Sequence, residues 1–145
     1  VLEPRVSLIT LGVADLARAR AFYAALGWRE ASASTAEIAF FQLPGQALAL
    51  CPRAALARDQ GREALPEGSG SMTLAQNLRS AEAVDALFAG AVAAGARALS
   101  RPAATPWGGY VGYVADPDGH VWEFAYVPMF PLGPDGALSL AEAAS

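Results

Sequence analysis

The chain reads as one unit written twice. The first copy runs from about Arg5 to Arg53. It opens with the strand-like run Val6-Ser7-Leu8-Ile9-Thr10-Leu11-Gly12-Val13, continues into a helix from Asp15 to Leu26, and then meets Gly27-Trp28. The second copy runs from about Ser71 to Pro128. It opens with Met72-Thr73-Leu74-Ala75-Gln76-Asn77-Leu78, followed by a helix from Ser80 to Ala94 and by Gly95-Ala96. A repeat this long and irregular does not make a solenoid. Two strand–helix–strands units predict one pseudo-symmetric domain with a pocket between or within its halves.

The caps support these helices. Asp15 and Ser80 carry short side-chain acceptors for orphan amides at a helix start. Leu16, Ala19, Phe22, Tyr23 and Leu26 follow Asp15 at helical spacing, as Ala83, Val84, Leu87, Phe88 and Val92 follow Ser80. Gly27 and Gly95 stand where a left-handed residue ends a helix. Thr35 to Leu43 and Gln46 to Cys51 read as strands joined by Pro44-Gly45. Gly108 to Ala115 and His120 to Val127 form another pair, joined by Asp116-Pro117-Asp118-Gly119. In that turn Pro presets φ, Asp bonds back to the main chain and Gly accepts positive φ. Residues 54–70 are the expected linker, with a short helix in its first part, Ala54 to Arg58. From Met129 to residue 145 an irregular tail is expected, because Pro131, Pro134 and Gly136 interrupt it.

The 145 residues make one domain, large enough for an ordinary core. No stretch of about 18 uncharged apolar residues occurs, so no membrane span is expected. A net charge of −4 disfavours nucleic acid as a partner. All ten basic residues are Arg, which removes lysine Schiff-base chemistry. A single cysteine, Cys51, excludes an intrachain disulfide and a multi-cysteine metal site. The N-terminal run Val1-Leu2-Glu3-Pro4-Arg5 lacks the basic and apolar regions of a signal peptide, and a cytoplasmic protein is the expectation.

Leu11-Gly12-Val13-Ala14-Asp15-Leu16, Phe22-Tyr23, Leu26-Gly27-Trp28 and above all Asp116-Pro117-Asp118-Gly119-His120-Val121-Trp122-Glu123 carry a resemblance. Over residues 5–128 the chain resembles the vicinal oxygen chelate superfamily, which includes glyoxalase I, extradiol dioxygenases and the fosfomycin- and bleomycin-resistance proteins. The tail from Pro128 to Gly136 looks like that of a subgroup of this family. The resemblance implies an α+β fold of two βαβββ modules, residues 5–53 and 71–128, whose strands curl around a half-open cavity. It also implies a homodimer. Metal-dependent relatives set four cavity-facing ligands in two pairs. By the resemblance those positions fall on Leu8, Ala49, Thr73 and Glu123. Leu and Ala cannot ligate through their side chains, and one carboxylate with one hydroxyl does not make a tight divalent site. No metal and no cofactor are therefore expected.

Glu123 lies in an otherwise apolar strand. Alternation sets Val121, Glu123 and Ala125 on one face and Trp122, Phe124 and Tyr126 on the other, which turns Glu123 towards the cavity. It is the candidate general base or ligand-orienting acceptor; the alternative is a structural carboxylate. Tyr113, Trp107 and Tyr110 are candidate aromatic walls, with Trp107 on a Gly108-Gly109 lid; ordinary sheet packing is the alternative for each. Asn77 shares a face with Thr73 and Ala75 and can hydrogen-bond a ligand, or simply end its strand. Leu8 and Ala49 complete the candidate lining. His120 is expected to stabilise the turn or face solvent, and Cys51 to be buried and inert. The leading expectation is a metal-independent protein that binds or sequesters a drug-like or aromatic small molecule. The alternatives are a glyoxalase-like lyase or isomerase with Glu123 as base, and a structural dimer with a vestigial pocket.

Overall fold

The computed structural model describes residues 3–140. Two sheets carry the fold. In the first module β1 (Leu8–Val13) leads into α1 (Leu16–Ala25), then β2 (Ala39–Leu43) and β3 (Gln46–Pro52). In the second, β4 (Leu74–Asn77) leads into α3 (Ala81–Ala93), then β5 (Arg97–Ala104), β6 (Tyr110–Ala115) and β7 (Val121–Tyr126). The short helix α2 (Arg53–Gln60) occupies the front of the connection between them. The sheet orders are β1-β3-β2 and β4-β7-β6-β5. In each module the opening strand pairs parallel with the closing strand, and the remaining pairings are antiparallel. That shared order is the duplication expressed as topology.

The caps are made as the residue types demand. The Asp15 carboxylate accepts from the Arg18 amide at 3.1 Å, and the Ser80 hydroxyl accepts from the Ala83 amide at 3.1 Å. Gly27 and Gly95 follow the helix ends with φ of 90° and 117°, a region a side chain would disfavour.

Two strand expectations are corrected. The first hairpin's leading strand begins at Ala39, not Thr35. A turn replaces the strand there: the Thr35 amide donates to the Ile38 carbonyl at 2.9 Å, and side-chain oxygens hold the segment beside β2. Ser34 Oγ accepts from the Phe40 amide at 2.8 Å and Thr35 Oγ1 from the Glu37 amide at 3.1 Å. Among the described residues the first module therefore has three paired strands, and a single bond from the Ala31 amide to the Phe40 carbonyl (2.7 Å) stands where a further strand would run. The second module is complete because β5, which no alternation marks, is held by β6. Gly112 admits it: a Cβ there would lie 2.8 Å from Pro102 Cγ on β5.

One core spans both modules. Leu11, Val13, Phe22, Tyr23, Phe41, Leu48 and Leu50 from the first pack with Val84, Phe88, Val114, Trp122 and Phe124 from the second. Trp28 lies edge-on to both Phe41 and Trp122, with centroids 5.5 and 5.6 Å apart. The opposite sheet faces are more open. Leu8 is 45% exposed, and on the second module Val111, Ala125 and Val127 form a small separate cluster with Tyr113.

Candidate functional site

The Asp116-Pro117-Asp118-Gly119-His120 segment is buried structure. Asp116 Oδ1 accepts from the amides of Asp118 and His120, both at 2.9 Å. Its Oδ2 accepts from the Tyr23 hydroxyl of α1 at 2.7 Å, and that hydroxyl accepts in turn from Trp122 Nε1 at 3.0 Å. Burial and the Asp116 charge push the Tyr23 phenol far above its ordinary range, so it stays a donor. Asp118 Oδ1 accepts from the Ala14 amide at 2.8 Å and from Arg18 Nη2 at 3.0 Å. His120 Nε2 lies 2.7 Å from the Gly12 carbonyl and Nδ1 2.9 Å from the Ser69 hydroxyl. A carbonyl only accepts, so Nε2 carries the proton and Nδ1 accepts from Ser69. Both ring nitrogens are engaged, which leaves none for catalysis or metal. His120 is buried and not solvent-facing, because it joins the second module's turn to the first module's opening strand.

A half-open cleft of about 760 Å³ lies between the β2–β3 hairpin, β4 and the tail. That volume suits a drug-sized ligand. Ile9, Trp28, Phe41, Leu48, Leu74 and Trp122 supply its apolar surface. Gln42, Gln46, Gln76, Asn77 and Thr73 add amide and hydroxyl groups, while Arg29 and Asp135 contribute opposite charges. The tail closes one side with Leu132, Ala137 and Leu138.

The structure divides the residues singled out from the sequence. Thr73 and Asn77 line this cleft. Glu123 does not: it is the register partner of Ala75, while Trp122 and Leu74 turn to the cleft, so Glu123 stands on the opposite face of the sheet. Tyr113 is the register partner of Glu123 on the other side. Burial, followed by the Glu123 carboxylate, raises the Tyr113 phenol above its usual range. Leu8 and Ala49 share the first sheet's other face, turned from the cleft: Leu8 is open at its end and Ala49 is wholly buried. Tyr110 reaches away from the cleft and donates to Asp85 of α3 at 2.7 Å. The lid expected of Trp107 is not formed over this cleft. Its ring folds back over Gly109, where only a glycine leaves room, and it is 53% exposed. Cys51 is buried, and desolvation raises its thiol, as an inert cysteine requires.

Trp28, Phe41 and the glutamines join the lining without any spacing along the chain to mark them. Gln42, Gln46 and Gln76 were the available signal: three primary amides in otherwise apolar strands.

A divalent metal does not fit the donor set. Among the described residues no three His, Cys, Asp or Glu side chains gather as a metal-binding group. Glu123 neighbours a tyrosine and an alanine, neither of which makes good a missing ligand at neutral pH.

Comparison with known proteins agrees with this architecture. The profile of the Glyoxalase/Bleomycin resistance protein/Dioxygenase superfamily matches residues 5–124. No curated protein matches the chain. A glyoxalase-related enzyme from Fulvimarina pelagi is similar at 40% identity and a TM-score of 0.90, over 97% of this chain and 100% of that one. A glyoxalase/bleomycin resistance protein/dioxygenase from Nocardioides shares 28% identity and a TM-score of 0.69, over 87% of this chain and 85% of that one. A family enzyme from Burkholderia phytofirmans PsJN, at 23% identity and a TM-score of 0.71 over 83% and 97% of the two chains, shares the fold.

Proposed function

The chain belongs to the Glyoxalase/Bleomycin resistance protein/Dioxygenase superfamily, and from that premise we propose that it is a metal-independent small-molecule-binding protein whose ligand enters the cleft between the modules. The observation that carries this reading is the cleft itself, where Trp28, backed by the buried Phe41 and Trp122, offers aromatic surface beside a rim of amides. Such a lining favours a planar, largely apolar ligand with a few hydrogen-bonding groups. An aromatic metabolite or a drug-like compound meets that description, and sequestration is the activity a pocket without metal ligands supplies. Gln76 and Asn77 on β4, with Gln42 and Gln46 on the hairpin, are the partners for the ligand's polar substituents.

Gln76→Leu tests the polar end. The variant is expected to keep its melting temperature within a degree or two. It should bind ligands that exchange hydrogen bonds with an amide more weakly, by about 0.5–1.5 kcal/mol, the range for a neutral hydrogen bond. Calorimetry on protein dialysed against a chelator reads both points. Binding that vanishes with chelation and returns with about one metal per chain would sink the metal-independent reading.

A symmetric homodimer belongs to the same proposal. The open sheet faces and ends expose Val6 (60%), Leu8 (45%), Met72 (45%), Trp107 (53%), Met129 (54%) and Phe130 (41%). Leu8 begins β1, Val6 lies just before it and Met72 precedes β4, the two edge strands of matching role in the modules. A second copy related by a two-fold axis would cover both at once. Light scattering at micromolar concentration should give twice the chain mass; a single-chain mass rules the dimer out.

A further inference from the structure

The tail that closes one side of the cleft is a self-contained hairpin. The Gly133 amide donates to the Ala137 carbonyl at 2.8 Å, the Gly136 amide to Gly133 at 2.9 Å and the Ser139 amide to Pro131 at 3.2 Å. Leu132 and Leu138 form a lone antiparallel bridge, and Asp135 Oδ1 accepts from the Ala137 amide at 3.0 Å. Among the described residues, every hydrogen bond from this hairpin to the body comes from one side chain. Arg79 Nη2 donates to the Gly133 carbonyl at 2.6 Å and reaches the Pro134 carbonyl at 3.5 Å. Arg79 sits between the end of β4 and the cap of α3, so its backbone is firmly placed. The hairpin's remaining hold is apolar and shallow: Leu138, part of the cleft wall, is 48% exposed.

We propose that the hairpin from Pro131 to Ser139 is a gate on the cleft, and that Arg79 is the positioning residue that latches it shut. The inference rests on the reading that the cleft takes a small molecule. A segment with few buried contacts and one polar anchor belongs to the low-stability end of a fold and opens locally before the core does. Opening removes Leu132, Ala137, Leu138 and Asp135 from the cleft together, which exposes its aromatic surface. Closure brings those side chains back against whatever has entered. The latch lies outside the cleft lining, so its loss changes rates of passage and leaves the aromatic surface unaltered.

The test is Arg79→Gln, read in two ways. Hydrogen exchange at the amides of Gly133, Gly136, Ala137 and Ser139 is expected to quicken about tenfold, the loss of one charge-assisted hydrogen bond, while β6 and β7 exchange as before. Stopped-flow mixing with the fluorophore 1-anilinonaphthalene-8-sulfonate, followed by energy transfer from tryptophan, is expected to show dissociation faster by a similar factor. Unchanged exchange in the hairpin overturns the latch. A loosened hairpin with unchanged dissociation overturns the gate. Wild-type protein that shows no probe binding overturns the cleft as a ligand site, and the exchange measurement still decides the latch.

Discussion

Replacing Asp116 by alanine is expected to cost about 3–5 kcal/mol of stability, the range for breaking a buried charged network by removing one partner. The carboxylate serves three donors: the amides of Asp118 and His120 and the Tyr23 hydroxyl. Alanine leaves all three without an acceptor in a region that water does not reach. It also frees the Tyr23 hydroxyl, which orders Trp122 Nε1. Asp116→Asn keeps one carbonyl oxygen and is expected to lose less, about 1–2 kcal/mol. Urea denaturation followed by circular dichroism measures both. An Asp116→Ala protein within about 1 kcal/mol of the parent, inside the scatter of surface substitutions, would mean that the turn holds its shape without this carboxylate.

The second large effect is expected at Trp122. It is 6% exposed, donates to Tyr23 and meets Trp28 edge-on, while its ring also reaches the cleft. Trp122→Ala removes a large side chain from the junction of the two modules and is expected to cost about 3–5 kcal/mol, as truncations of buried aromatics do. Trp122→Phe keeps most of the ring volume but not the indole N–H. Combined with Tyr23→Phe it forms a double-mutant cycle, in which a coupling of about 0.5–3 kcal/mol is expected for residues sharing one network. Strict additivity would break the chain of bonds inferred from Asp116 through Tyr23 to Trp122. The alanine variant should also bind planar ligands more weakly, and Trp122→Phe should restore most of that loss.

Local features were legible in the sequence because local rules set them. Asp15 and Ser80 cap helices, Gly27 and Gly95 end them, and the duplicated order of elements predicts matching sheets. The start of β2 was misplaced because Ser34 and Thr35 divert amides into turns, a competition that strand propensity does not register. The strand β5 was unmarked because both its faces are largely exposed and its ladder is irregular near Ser100. The site was harder still. Thr73 and Asn77 fall in the cleft because they flank and end β4, the strand at its edge. Trp28 and Phe41 reach it only through the packing of one module on the other, which no spacing along the chain encodes. The Asp116 turn was read as a turn, but its partners lie 93 to 108 positions away.

Those separations bear on how the chain reaches its native state. The bonds from His120 to Gly12, from Asp118 to Ala14 and from Asp116 to Tyr23 all close loops of about a hundred residues. Loop closure of that length carries an entropic cost that must be met before the contacts reward it, and folds dominated by such contacts form slowly. On the ribosome, the first module emerges complete while its partners in the second are still unmade. Tyr23 and the opening strand then wait with their polar groups held by water and their apolar face uncovered. Two copies of one motif in the sequence thus behave as a single cooperative unit, and the older of the two halves in synthesis is the one that depends on the younger.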